Sequence, residues 1–105
     1  MSVYVTLKVT VDPSSFEKAA AERADAIGRI LEIAKSNGLI GHRWLRGDGV
    51  ILAVDEWPTA ESFQTFFDTA GPEIGPLMEA AGATAPPEVT VWGHVEIDDA
   101  VGWGA

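Results

Sequence analysis

The sequence predicts one α+β domain in the order strand, helix, strand, strand, helix, strand, with a four-stranded antiparallel sheet. Three observations predict it: apolar alternation near both ends of the chain, two amphipathic stretches of helical period, and an Asp-Gly turn between two central apolar runs.

Residues 3 to 11 alternate Val3, Val5, Leu7, Val9 and Val11 with Tyr4, Thr6, Lys8 and Thr10, the pattern of a strand with one face in a core. Asp12-Pro13 stops that strand. Ser14 with Glu17 three residues on has the form of a capping box, and starts one helix with Phe16, Ala20, Ile27, Leu31 and Ala34 on a single stripe. Asn37-Gly38 ends this helix with a left-handed cap. Residues 39 to 46 and 50 to 57 flank Gly47-Asp48-Gly49 and pair as a hairpin, because a tight turn needs positive φ at its centre.

Pro58 and the Thr59 cap open a second helix with Phe63, Phe66, Phe67 and Ala70 at helical spacing. Gly71-Pro72 is expected to break it, after which a short turn carries Ile74, Leu77, Met78 and Ala81 as far as Gly82. Residues 88 to 97 alternate again, predicting a fourth strand with Val89, Val91, Val95 and Ile97 on one side and Thr90, Trp92, His94 and Glu96 on the other. The domain so defined covers 1–97. Residues 98–105 form a Gly-rich acidic tail in which Trp103 is the residue able to dock.

With right-handed crossovers the simplest topology is the ferredoxin-like βαββαβ one, strand order 4-1-3-2 with both helices on one face. The other face is left uncovered. It would carry Tyr4, Thr6, Trp92 and His94, and a Trp beside a Tyr on an open sheet calls for a partner, most simply a second copy in a sheet-to-sheet homodimer.

Composition narrows the partners further. Hydrophobic residues make up 47% of the 105, enough for a thin core of one small domain. A formal charge of -9 with scattered Lys and Arg repels phosphate backbones and anionic lipid, so neither nucleic acid nor a membrane surface is an expected partner. The chain has no cysteine, which removes disulfides, thiolate nucleophiles and Cys-type metal centres. The first residues lead directly into a strand and no apolar run could span a bilayer, so a cytoplasmic location is expected.

The hairpin also places the candidate chemistry. A two-residue turn at Asp48-Gly49 sets Trp44 opposite Ala53, His42 opposite Asp55 and Ile40 opposite Trp57, all on one face, and a two-residue slip would preserve that face. His42, Trp44, Asp55 and Trp57 then form one cluster. An imidazole whose tautomer is fixed by a carboxylate, set between indole rings, suits a general acid/base working on a planar aromatic ligand. The same residues read more simply as a cross-strand polar pair with two core tryptophans. Phe63, Phe66, Phe67, Leu77 and Met78 have core spacing, and Phe66 and Met78 can also line a cavity between helix and sheet. His94 belongs to the sheet-to-sheet interface or to a pocket mouth. Two histidines with scattered carboxylates match no zinc spacing, so no metal is expected.

The stretch Asp55-Glu56-Trp57-Pro58-Thr59-Ala60-Glu61-Ser62-Phe63, preceded by an alternating strand and followed by a helix and a Pro-Glu-Ile-Gly-Pro-Leu-Met turn, resembles the dimeric α+β barrel superfamily. Within it, the stretch resembles antibiotic-biosynthesis-monooxygenase-type (ABM-type) domains. The resemblance implies a pocket between sheet and helices into which Trp57 points, with His42, Trp44 and Asp55 on the pocket side by strand parity. Haem-degrading members use an asparagine in strand one and a histidine in or just after the second helix. Strand one here has no Asn and residues 59 to 82 contain no His, so haem degradation is not implied.

What remains implied is a small-molecule enzyme acting on a planar aromatic or polyketide-like compound without a cofactor, a cofactor-independent monooxygenase among the choices. His42 and Asp55 would be its catalytic pair, and Trp44, Trp57, Phe66 and Met78 its substrate-binding residues. The alternative is a non-catalytic dimeric module that binds a small molecule or serves a stress response, in which His42 and Asp55 are only a satisfied polar contact.

Overall fold

A computed structural model describes residues 1–103, so the last two positions of the expected tail, 104 and 105, lie outside the described residues. Seven elements follow one another: β1 (Val3–Thr10), α1 (Pro13–Glu22), α2 (Ala24–Ser36), β2 (Gly41–Gly47), β3 (Val50–Trp57), α3 (Ala60–Ala81) and β4 (Glu88–Trp92). The four strands make one antiparallel sheet in the order β2-β3-β1-β4, the topology the sequence predicts.

Parity divides the sheet. Val5, Leu7 and Val9 of β1 and Ile51, Ala53, Asp55 and Trp57 of β3 pair across the ladder and are buried beneath the helices. The opposite face is open. It carries Tyr4, Leu52, Val54 and Leu45, with Trp92 at 52% exposure donating its indole N–H to Thr6 Oγ1 at 2.9 Å. Trp103 lies on the same side, its ring 4.9 Å from the Arg43 guanidinium.

Four local expectations are corrected. The first helix begins two residues earlier than the Ser14–Glu17 box: Asp12 is the N-cap, its carboxylate accepting the Ser15 N–H at 3.0 Å, with Pro13 at the first helical position. Glu17 instead takes a salt bridge from Arg46 on β2.

That helix is also two helices. The chain leaves helical geometry at Arg23 (φ -122°, ψ 42°) and restarts at Ala24, and α1 and α2 each pack against α3. Of the expected stripe Phe16 and Ala34 are buried, Ala20 and Ile27 are half-buried, and Leu31 is exposed.

The second helix does not break at Gly71-Pro72. It runs unbroken for 22 residues with Pro72 and Pro76 inside it. Each interior proline removes a donor and costs roughly 3 kcal/mol, but the turns it would interrupt bury Ile74, Leu77, Met78 and Ala81, and each large apolar side chain returns about 1.5–3 kcal/mol. Burial wins.

The fourth strand ends at Trp92 rather than Ile97. Tyr4 faces Trp92 and β1 starts at Val3, so residues beyond Gly93 have no ladder to join. His94 therefore does not alternate on a strand. Its Nε2 lies 3.0 Å from the Ser2 carbonyl oxygen and its ring meets Tyr4 edge-on at 5.5 Å.

Candidate functional site

The site is built by the hairpin. Gly49 takes the positive φ (71°) that the turn requires, Gly47 pairs with Val50, and the register then sets His42 opposite Asp55 and Trp44 opposite Ala53, on the helix side of the sheet. The pairing is the one the turn chemistry predicts.

Asp55 is 5% exposed and is the only buried charged residue among those described. A carboxylate in that position needs hydrogen-bond donors, and it has two. His42 Nδ1 lies 2.5 Å from Oδ1, and Trp57 Nε1–H donates to Oδ2 at 3.4 Å. The proton on Nδ1 is thereby committed to Asp55, which leaves Nε2 as the free ring nitrogen on a side chain that is 29% exposed.

A cavity of about 80 Å³ opens beside this pair. His42, Trp44, Ala53, Asp55 and Leu7 line it from the sheet, Phe66, Ile74, Leu77 and Met78 from α3, and Ile27, Ile30, Leu31 and Ala34 from α2. His42, Asp55, Trp44, Phe66 and Met78, all named from sequence, therefore face one space. Trp57 does not. It is fully buried, with its ring 5.0 Å from Phe66 and 5.9 Å from Phe63, and it reaches the site only through its bond to Asp55. Trp44 stands at the cavity edge, 5.9 Å from the His42 ring and 4.9 Å from Phe16 of α1.

The α2 wall was visible in the sequence only as helical apolar spacing. The further signal lay in its excess: Ile27, Ile30, Leu31, Ile33 and Ala34 are five apolar residues within eight, more than a helix resting on one neighbour consumes. In the structure α2 packs on α3, and Ile27, Ile30, Leu31 and Ala34 of its stripe face the cavity. It is clasped to α3 by Arg29, whose Nε and Nη2 donate to the two Glu73 oxygens at 2.6 and 3.1 Å. These bonds hold the Glu73 carboxyl below the ordinary carboxylate range and lift Arg29 above its own.

Chemically, the cavity offers one polar end with a base-competent imidazole nitrogen and otherwise apolar walls. Among the described residues no three His, Cys, Asp or Glu side chains come together as a metal site, and no helix is long and apolar enough to cross a membrane.

No protein-family model and no curated protein sequence matches the chain. Solved structures do. A point mutant of SnoaB, a cofactor-independent oxygenase from Streptomyces nogalater, superposes with a TM-score of 0.63 at 18% identity, over 91% of this chain and 95% of that one. An antibiotic biosynthesis monooxygenase matches with a TM-score of 0.64 at 10% identity, over 89% and 98% of the two chains. A conserved protein from Methanosarcina mazei Go1 matches with a TM-score of 0.64 at 15% identity, over 88% and 91%. At these identities what is shared is the fold: the chain has the ferredoxin-like α+β fold of antibiotic biosynthesis monooxygenase domains.

Proposed function

We propose that the protein is an enzyme that binds a planar aromatic or polyketide-like molecule in the α2–α3 cavity and oxygenates it without flavin or metal. His42 is its proton-transfer group and Asp55 the residue that orients it. One observation carries the reading: the only buried carboxylate among the described residues fixes the tautomer of a partly exposed histidine at the polar end of an apolar cavity. The SnoaB likeness supports the oxygenase form of it.

In that form Nε2 accepts a proton from a ring C–H made acidic by a neighbouring carbonyl. The resulting carbanion gives one electron to dioxygen, the radical pair joins as a peroxide, and loss of water leaves a new carbonyl. Each turnover consumes one O₂ and releases one H₂O. The cavity at about 80 Å³ is smaller than the roughly 150 Å³ void that accepts a single benzene ring, so a ligand of several rings enters as α2 moves outward. Trp44 and Phe66 supply the aromatic surfaces against it.

The assay is oxygen uptake with anthrone and related hydroxylated anthrones, with chelator present and no flavin added. One O₂ consumed per quinone formed, above the rate in buffer, is the expected outcome. Saturable binding of these compounds with no enzyme-dependent uptake would instead establish the binding-module reading, which the small resting volume favours.

The assembly belongs to the same proposal. Tyr4, Leu45, Leu52, Val54 and Trp92 on the open sheet face form the contact of a sheet-to-sheet homodimer, whose burial of that face offsets the cost of exposing it. Light scattering should return twice the 11.2 kDa chain mass. A monomer at micromolar concentration rules this assembly out.

A further inference from the structure

The charge of the cavity wall says more about the ligand than its shape does. Seven Lys and Arg residues are present, and none lines the cavity. Arg29 lies outside, held by Glu73 on the helix surface. Arg46 is turned to Glu17 and Arg43 is stacked on Trp103 on the far face of the sheet.

The one candidate cation, His42, already has its counter-charge. With Asp55 Oδ1 at 2.5 Å, a protonated His42 makes a pair of zero net charge and a neutral His42 leaves a net negative one. In neither state does the polar end carry the positive charge a buried anion needs. The apolar residues of α2 and α3 have no donor to add.

We infer that the cavity takes an uncharged ring system, one without carboxylate, phosphate or sulfonate, presenting a single polar edge to His42. The inference rests on the reading above of this cavity as the ligand site, and it narrows the substrate class within it. It also places the protein in a reaction sequence: any acid group on the skeleton is removed or masked by a decarboxylating or group-transferring step before this one.

The test is competition between two isosteres. Fluorescent 1-aminoanthracene is bound to the full chain and displaced by anthracene-9-carboxamide or by anthracene-9-carboxylate. The salt is about 1 M, where the Debye length is near 3 Å and repulsion from the overall charge is screened. The carboxamide should displace the probe at a concentration at least about tenfold lower, since burying an unpaired carboxylate costs more than one decade of affinity.

Leu31, at the solvent edge of the cavity and 37% exposed, provides the converse. Leu31→Arg should bring the carboxylate to within about threefold of the carboxamide.

Equal displacement by both isosteres in the unaltered protein overturns the inference and leaves the cavity reading standing. A carboxylate that stays weak in Leu31→Arg places the discrimination outside this lining and overturns it as well. Failure of 1-aminoanthracene and the carboxamide to bind at all, checked by calorimetry, removes the cavity as a ligand site and the inference with it.

Discussion

His42→Ala is expected to lower the rate of oxygen uptake by about 10²–10⁴-fold, the range that positioned proton transfer supplies. The fold should survive, because His42 stands on β2, at the edge of the sheet, with its side chain partly in water. The substitution has a second effect that must be separated from the first: it strips Asp55 of its closer hydrogen bond, at a cost of about 1–3 kcal/mol in stability. His42→Asn makes the separation. Its amide nitrogen can occupy the place of Nδ1 and donate to Asp55, but it has no counterpart of Nε2. Stability recovered with turnover still lost, measured by urea unfolding and oxygen uptake on the same samples, is the expected pattern. Turnover close to the unaltered rate in His42→Asn would end the assignment of His42 as proton-transfer group.

The second large effect is on stability. Trp57→Ala should cost about 3–5 kcal/mol, the range for emptying a fully buried large aromatic site, out of the 5–15 kcal/mol that holds a domain of this size together. Trp57 has zero exposure, sits under Phe63 and Phe66, and supplies the second donor to Asp55, so a void and a poorly paired carboxylate appear together. Trp57→Phe keeps most of the ring packing and removes only the N–H, and should fall between the two. Urea midpoints for the three proteins give the comparison. A loss below about 1 kcal/mol in Trp57→Ala would mean that this indole is not the keystone of the sheet-to-α3 contact.

The hairpin was legible in the sequence because its information is local: Asp48-Gly49 fixes the turn, and period-two alternation then carries His42 to Asp55 and Trp44 to Ala53 without further help. The break at Arg23 was not, because Glu22, Arg23 and Ala24 are all acceptable helix residues. The interruption belongs to the tertiary structure, where the two segments are separate helices that each pack on α3. The prolines of α3 mislead in the other direction, since a local rule against helix-interior proline loses to burial that depends on the whole fold. Strand parity placed Trp57 on the helix side, yet parity cannot tell a side chain that faces an empty space from one that fills it. The Phe66 and Phe63 rings, distant in sequence, make that difference.

The enclosure around His42 is unequal in its walls. On the sheet side each residue is pinned by ladder hydrogen bonds to its neighbours, whereas α2 is fastened by side-chain packing on α3, an exposed ion pair at Arg29 and an uncapped joint at Arg23. Accommodation of a larger guest therefore has a direction. In the enzyme proposed above, the reactive edge would stay registered against Nε2 while the remote rings displace α2, and the chemistry would keep its alignment across guests of different length. On that proposal, tolerance of substrate size would belong to the helix and fidelity of attack to the hairpin.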